Sequence, residues 1–125
     1  MSFKFPKKEK LKSQKLIEQL FSEGKSVTAF PLRMVYLKIT SNDDIQFKTG
    51  VSVSKRSFKN AVDRNRIKRL LREAYRLNKS TYFNNISGSY ALMILYISKD
   101  GTDFDSVETK MKLLLDAFSK KVSQN

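Results

Sequence analysis

The side chains best equipped for chemistry in this chain are arginines and lysines. Between Lys55 and Lys79 stand ten of them, against two carboxylates, Asp63 and Glu73. This segment alone carries a net +8 of the chain's +13. In the stretch AVDRNRIKRLLREAYR (61–76) arginine outnumbers lysine. The planar guanidinium fork matches two phosphate oxygens at once and stacks on bases, whereas lysine would serve for solubility alone. The chemistry on offer is polyanion recognition, with a nucleic acid as the partner that best explains the arginine bias. An acidic protein explains that bias less well.

Other chemistries are excluded by residue type. The chain has no histidine and no cysteine. Ser-His and Cys-His nucleophile pairs, imidazole and thiolate metal ligands, and disulfides are therefore ruled out. Its acidic residues are scattered, and spacing marks no pair for general acid–base work. Neither a catalytic residue nor a protein-held metal is expected.

The cations need an element to hold them. With Arg64 at zero and about 100° per residue, Ile67, Leu70, Leu71 and Ala74 fall on one side of a helix. Arg64, Lys68, Arg72 and Arg76 lie on a neighbouring arc, with Asn65 and Arg69 beside them. Arg66 lies elsewhere, placed to bridge to a loop or to the sheet, and Arg69 is spaced to pair with Glu73 at i,i+4. A helix from Asn60 to Asn78 is predicted, with one face on a sheet and a cationic ridge on another. A membrane-surface helix would need that apolar face free.

Around it, the chain reads as one domain of 125 residues. Residues 1–12 form a basic tail, mobile without a partner, and residues 13–125 a single α+β domain. The patterning predicts a helix over 13–23, capped by Ser13 and closed by a left-handed Gly24. An edge strand over 25–30, strands over 31–40 and 45–54 and a turn at 41–44 follow. After the basic helix come a polar loop, a central strand over 90–97 and a helix over 104–122. The buried stripe of that last helix is Phe104, Val107, Met111, Leu114, Leu115, Phe118 and Val122. No run of about eighteen apolar residues is present. The start, MSFKFPKKEK, lacks a secretory pattern. A cytoplasmic protein without a membrane partner is expected.

At GVSVSKRSFKNAVDRNRIKRLLREAYR (50–76) the sequence resembles the protein subunit of bacterial ribonuclease P. The matching positions are Ser54, Lys55 and Arg56 at a strand end, then Ala61 and Val62, then Arg64, Asn65, Arg66, Lys68, Arg69, Arg72 and Glu73. The upstream LIEQLFSEGKSV is similar to that family's first helix. Two positions depart from its pattern. Ile17 stands where many members have an aromatic, and SFKN replaces a loop that often holds glycine.

The resemblance implies an αβββαβα two-layer sandwich with a left-handed βαβ crossover through the basic helix. It implies a ribonucleoprotein that removes the 5′ leader of precursor tRNA. The catalytic RNA subunit would perform the hydrolysis with magnesium held mainly by RNA, and no further protein partner would be required. Lys55, Arg56, Lys59, Arg64, Asn65, Arg66, Lys68, Arg69 and Arg72 would bind the RNA subunit. The leader would lie in a cleft between the first helix and the sheet, with Phe21 and Tyr36 as candidate stacking residues; the other reading of both is core. Two rival functions remain at this point, a ribosomal-type RNA scaffold and a metal-dependent nuclease acting alone.

Overall fold

The computed structural model describes residues 9–40, 45–84 and 86–123. The elements follow the order α1 (Gln14–Glu23), β1 (Lys25–Ala29), β2 (Leu32–Ile39), β3 (Phe47–Val53), α2 (Ala61–Tyr82), β4 (Ser89–Tyr96) and α3 (Phe104–Ser123). The turn expected at 41–44 and the tail up to residue 8 lie outside the described residues.

The four strands form one sheet in the order β1-β2-β4-β3. β4 lies between an antiparallel β2 and a parallel β3. It is buried on both faces, as a continuous apolar run requires. β1 is the edge strand that the sequence suggests. Because β3 and β4 are parallel neighbours, α2 is the crossover between them.

Strand alternation sorts the apolar side chains into two clusters. Leu32, Met34 and Tyr36 of β2 and Tyr90, Leu92, Ile94 and Tyr96 of β4 face α2 and α3. Val35, Ala91 and Met93 face the other way, under Leu20 of α1 and Leu11. Helix α3 contributes Val107, Met111, Leu114, Leu115 and Phe118 to the larger cluster, with Phe104 and Val122 partly buried beside it.

The Ser13 hydroxyl caps α1, accepting the Leu16 N–H at 3.2 Å. Gly24 departs from expectation, being extended with φ −71°. Its need for glycine is steric: a Cβ there would lie 2.3 Å from the Leu20 carbonyl oxygen and 2.9 Å from Val35. Helix α2 also runs four residues past its expected end. Asn78 resembles a stop signal, but its buried amide donates to the Ala74 carbonyl at 2.8 Å and to Glu108 of α3 at 3.1 Å. With the side chain satisfied, the helix continues to Tyr82.

Ile67 and Leu71 dock α2 and are almost completely buried. Leu71→Ala is expected to cost about 2–5 kcal/mol through the cavity left behind. Urea unfolding checks this; an unchanged midpoint would mean that α2 is docked by another face.

Candidate nucleic-acid interface

Nine cationic or amide side chains singled out by the sequence lie on one loop and one helix. Lys55, Arg56 and Lys59 are exposed on the loop before α2, as are Asn65, Arg66, Arg69 and Arg72 on the helix; Arg64 and Lys68 are half-buried. The loop is built by its backbone. Phe58 N–H donates to the Ser54 carbonyl at 3.1 Å, and Arg56 N–H to the Ser54 hydroxyl at 3.1 Å.

Arg64 has a structural task. Its Nη1 donates to the carbonyls of Phe58 and Lys59, at 2.8 Å each. Asn60, at the cap position, makes no side-chain capping bond. The guanidinium therefore ties the basic loop to the first turn of α2. Arg66 faces the start of α3. The Asp103 carboxyl there is held below its usual range, first by hydrogen bonds from Ser106 and then by the Arg66 charge. Glu73 pairs with Arg76 instead of the expected Arg69, the Arg76 Nε donating at 3.1 Å. That bond holds the Glu73 carboxyl below the usual range. Arg69 makes no ion pair among the described residues.

A groove opens beside this ridge. Residues 10–12 run along the free edge of β3, with a parallel bridge from Lys10 to Thr49 and the Leu11 N–H on the Thr49 carbonyl at 3.0 Å. Leu11 covers Gly50, where a Cβ would lie 3.2 Å from the Met93 methyl carbon. The groove has a volume of about 270 Å³ and is lined by Lys10, Lys12, Ile17, Gly50, Met93 and Arg72 among others. Its floor is apolar and its walls are cationic. Phe21 stands one helical turn beyond Ile17 on α1 and is 52% exposed.

Comparison with known proteins places this architecture. The profile of the Ribonuclease P family matches residues 5–119. The ribonuclease P protein component of Porphyromonas gingivalis W83 is 38% identical over 117 residues, covering 89% of this chain and 83% of that protein. The chain belongs to the ribonuclease P protein family. The component from Clostridium botulinum strain Langeland is 34% identical over 110 residues, covering 87% and 93%. The ribonuclease P protein of Thermotoga maritima superposes with a TM-score of 0.69 at 25% identity, covering 87% of this chain and 96% of that one. The Staphylococcus aureus protein has the same fold, with a TM-score of 0.69 at 22% identity and coverage of 91% and 96%. The role of this chain is that of a ribonuclease P protein component; nothing in the likeness favours a ribosomal-type scaffold.

The ribonuclease P fold separates the two aromatics expected to share a cleft. Tyr36 lies on the α2/α3 face, 8% exposed, with its ring edge-on to Phe118 at 5.0 Å. Phe21 belongs to α1, on the opposite face. The period of two puts Tyr36 with Met34, and α3 covers both. Lys10, Lys12 and Ile17 border the groove instead; Ile17 is the position where the family often has an aromatic, and the two lysines belong to the segment expected to be a basic tail. Gly50, a lone glycine inside a strand, was the available signal of a close backbone approach.

Because Arg64 holds the loop, Arg64→Ala is expected to free it. Amide exchange at Lys55–Lys59 should speed up while the global melt changes little. Unchanged exchange in the folded variant would show that the two carbonyl bonds do not hold the loop.

Proposed function

We propose that this chain is the protein half of a ribonucleoprotein that removes the 5′ leader of precursor tRNA. The catalytic RNA subunit performs the hydrolysis, and magnesium is held mainly by that RNA. The ridge from Lys55 to Arg72 grips the RNA subunit through phosphates, and the groove between residues 10–12, α1 and the sheet receives the single-stranded leader. No other protein is required, and the setting is the bacterial cytoplasm.

The observation that carries this reading is the family's basic motif, displayed on an outer flank of α2 beside a cation-walled groove. Single-strand grooves combine basic walls with apolar or aromatic platforms that accept any base, which suits a protein receiving many leaders. Half or more of the contacts in such interfaces go to the backbone and carry no sequence information.

Reconstitution tests the reading. Full-length protein is mixed with precursor tRNA and magnesium, with and without a bacterial ribonuclease P RNA, at low RNA-subunit concentration. Stimulated cleavage is expected only with the RNA subunit present. Cleavage by protein alone would place catalysis in this chain, and no stimulation in either mixture would leave an RNA scaffold. Affinity should fall steeply with salt, by a log–log slope of about −0.7 to −0.9 per phosphate neutralised; a flat titration would remove the ridge from the interface.

The leader side has its own test. Phe21→Ala should weaken binding of precursor tRNA by about fivefold to a hundredfold, the loss of one base stack at about 1–3 kcal/mol. Mature tRNA binding and the melting temperature should hold. Tyr36→Ala should instead cost about 3–5 kcal/mol of stability, as an aromatic truncated in the core. If Phe21→Ala affects both RNAs alike, the groove does not hold the leader.

A further inference from the structure

A second cationic site stands apart from the ridge and the groove. It lies on the α3 face of the sheet, at the end where β4 begins. Lys25 of β1 is the cross-strand partner of Tyr36 on β2, and Lys38 of β2 is the partner of Tyr90 on β4. Tyr36 and Lys38 are two residues apart, so all four side chains leave the same face. The result is a Lys-Tyr, Lys-Tyr checkerboard on three adjacent strands. The end of α3 closes it with Lys121. The cavity holds about 280 Å³, and its one acidic lining residue is Glu23.

The tyrosines are fixed in place. The rings of Tyr36 and Tyr90 stand edge-on to Phe118 at 5.0 and 5.6 Å. Neither hydroxyl makes a hydrogen bond to a described residue, and neither is sealed from solvent. Burial, and then the neighbouring Tyr90, push the Tyr36 phenol above its ordinary value; a phenol is a hydrogen-bond donor at neutral pH in any case. Two anchored tyrosines thus line one cavity together with three lysines.

The geometry points to a binding site for one phosphate group at Lys25, Lys38, Lys121, Tyr36 and Tyr90. Ammonium and hydroxyl donors from several directions suit a compact tetrahedral oxyanion. The tyrosine rings are packed into the core against Phe118, so the group is recognised by its phosphate and not by a stacked base. Nor is this the ridge by another route. Val53, which precedes the basic loop, pairs with Tyr96, six residues along β4 from Tyr90. That is roughly 20 Å at about 3.3 Å per residue.

Inorganic phosphate is the first probe, titrated into the full chain at constant ionic strength and followed by backbone amide resonances. Saturable shifts are expected at Lys25, Lys38, Tyr90 and Lys121. A Lys25→Gln, Lys38→Gln double variant should weaken them about tenfold or more, and Tyr90→Phe about twofold to tenfold, as charged and neutral hydrogen bonds are lost. The lysines are exposed and Tyr90→Phe keeps its ring, so the melts should match the parent. Shifts confined to Lys55–Arg72, or equal affinity in the double variant, would overturn the site. A second arm adds short single-stranded RNA. Displacement of phosphate from the Lys25 and Lys38 signals identifies a strand phosphate as the ligand. Phosphate retained there while RNA shifts only the ridge and groove identifies a free phosphate compound. Each outcome supports the site and names its source.

Discussion

The central strand β4 is buried on both faces, and the placement of everything functional follows from that. A strand with no solvent face has no position for a charged side chain that is not neutralised. Residues 90–94 and Tyr96 are accordingly all buried. The cations are displaced to the elements that flank the sheet: the loop and outer side of α2, residues 10–12 along the β3 edge, and the far strand ends. The same constraint demands helices on both sides. Helices α2 and α3 cover one face, and α1 with Leu11 covers part of the other. The groove lies where that second cover gives way to cationic side chains.

The charge distribution opposes the packing it rests on. Like charges at this density on one loop and helix repel one another. The described ion pairs relieve little of it. Glu73–Arg76 and Asp116–Lys120 each lie within one helix, a class worth a few tenths of a kcal/mol, and Lys79–Glu9 neutralises one cation near the end of α2. What holds α2 in place is its apolar stripe and two polar contacts, one buried and one half-buried. Thr49 and Tyr75 hydroxyls meet at 2.9 Å between β3 and α2, and Asn78 reaches Glu108 of α3. The ridge can thus be almost wholly cationic because its opposite face is committed to the core.

Periodic signals made most of the fold legible. The element order, the edge strand β1, the central β4, the Ser13 cap and the α3 stripe all follow from spacing and turn chemistry within a few residues of one another. Signals that depend on a distant partner were not legible. Whether Glu73 pairs with Arg69 or Arg76 is a matter of rotamers on one helix face, and both spacings are permitted. Asn78 ends a helix unless a neighbouring carboxylate takes its amide, and Glu108 lies thirty residues away. The alternation in RMVYLK correctly put Met34 with Tyr36, but which helix covers which face is a tertiary fact. Similarly, the basic motif marked the interface, yet could not show that Arg64 spends its guanidinium on two loop carbonyls.

Arg72 is where the two proposed RNA surfaces meet. It lines the groove together with Lys10 and Lys12, and it also borders an apolar depression formed with Arg69, Leu70 and Phe104. Lys68 stands one turn before it on the same flank of α2. A phosphate held at Lys68 and Arg72 would lie beside the groove that Arg72 lines, and a strand entering the groove would pass the same guanidinium. The two proposed occupants are both anionic and would share one cationic wall, so each would lessen the attraction that the other meets. Sharing Arg72 in this way would make occupancy of the ridge and of the groove mutually dependent, because coupling between two sites is reciprocal. A rigid helix docked through Ile67 and Leu71 is what would allow a single residue to serve both.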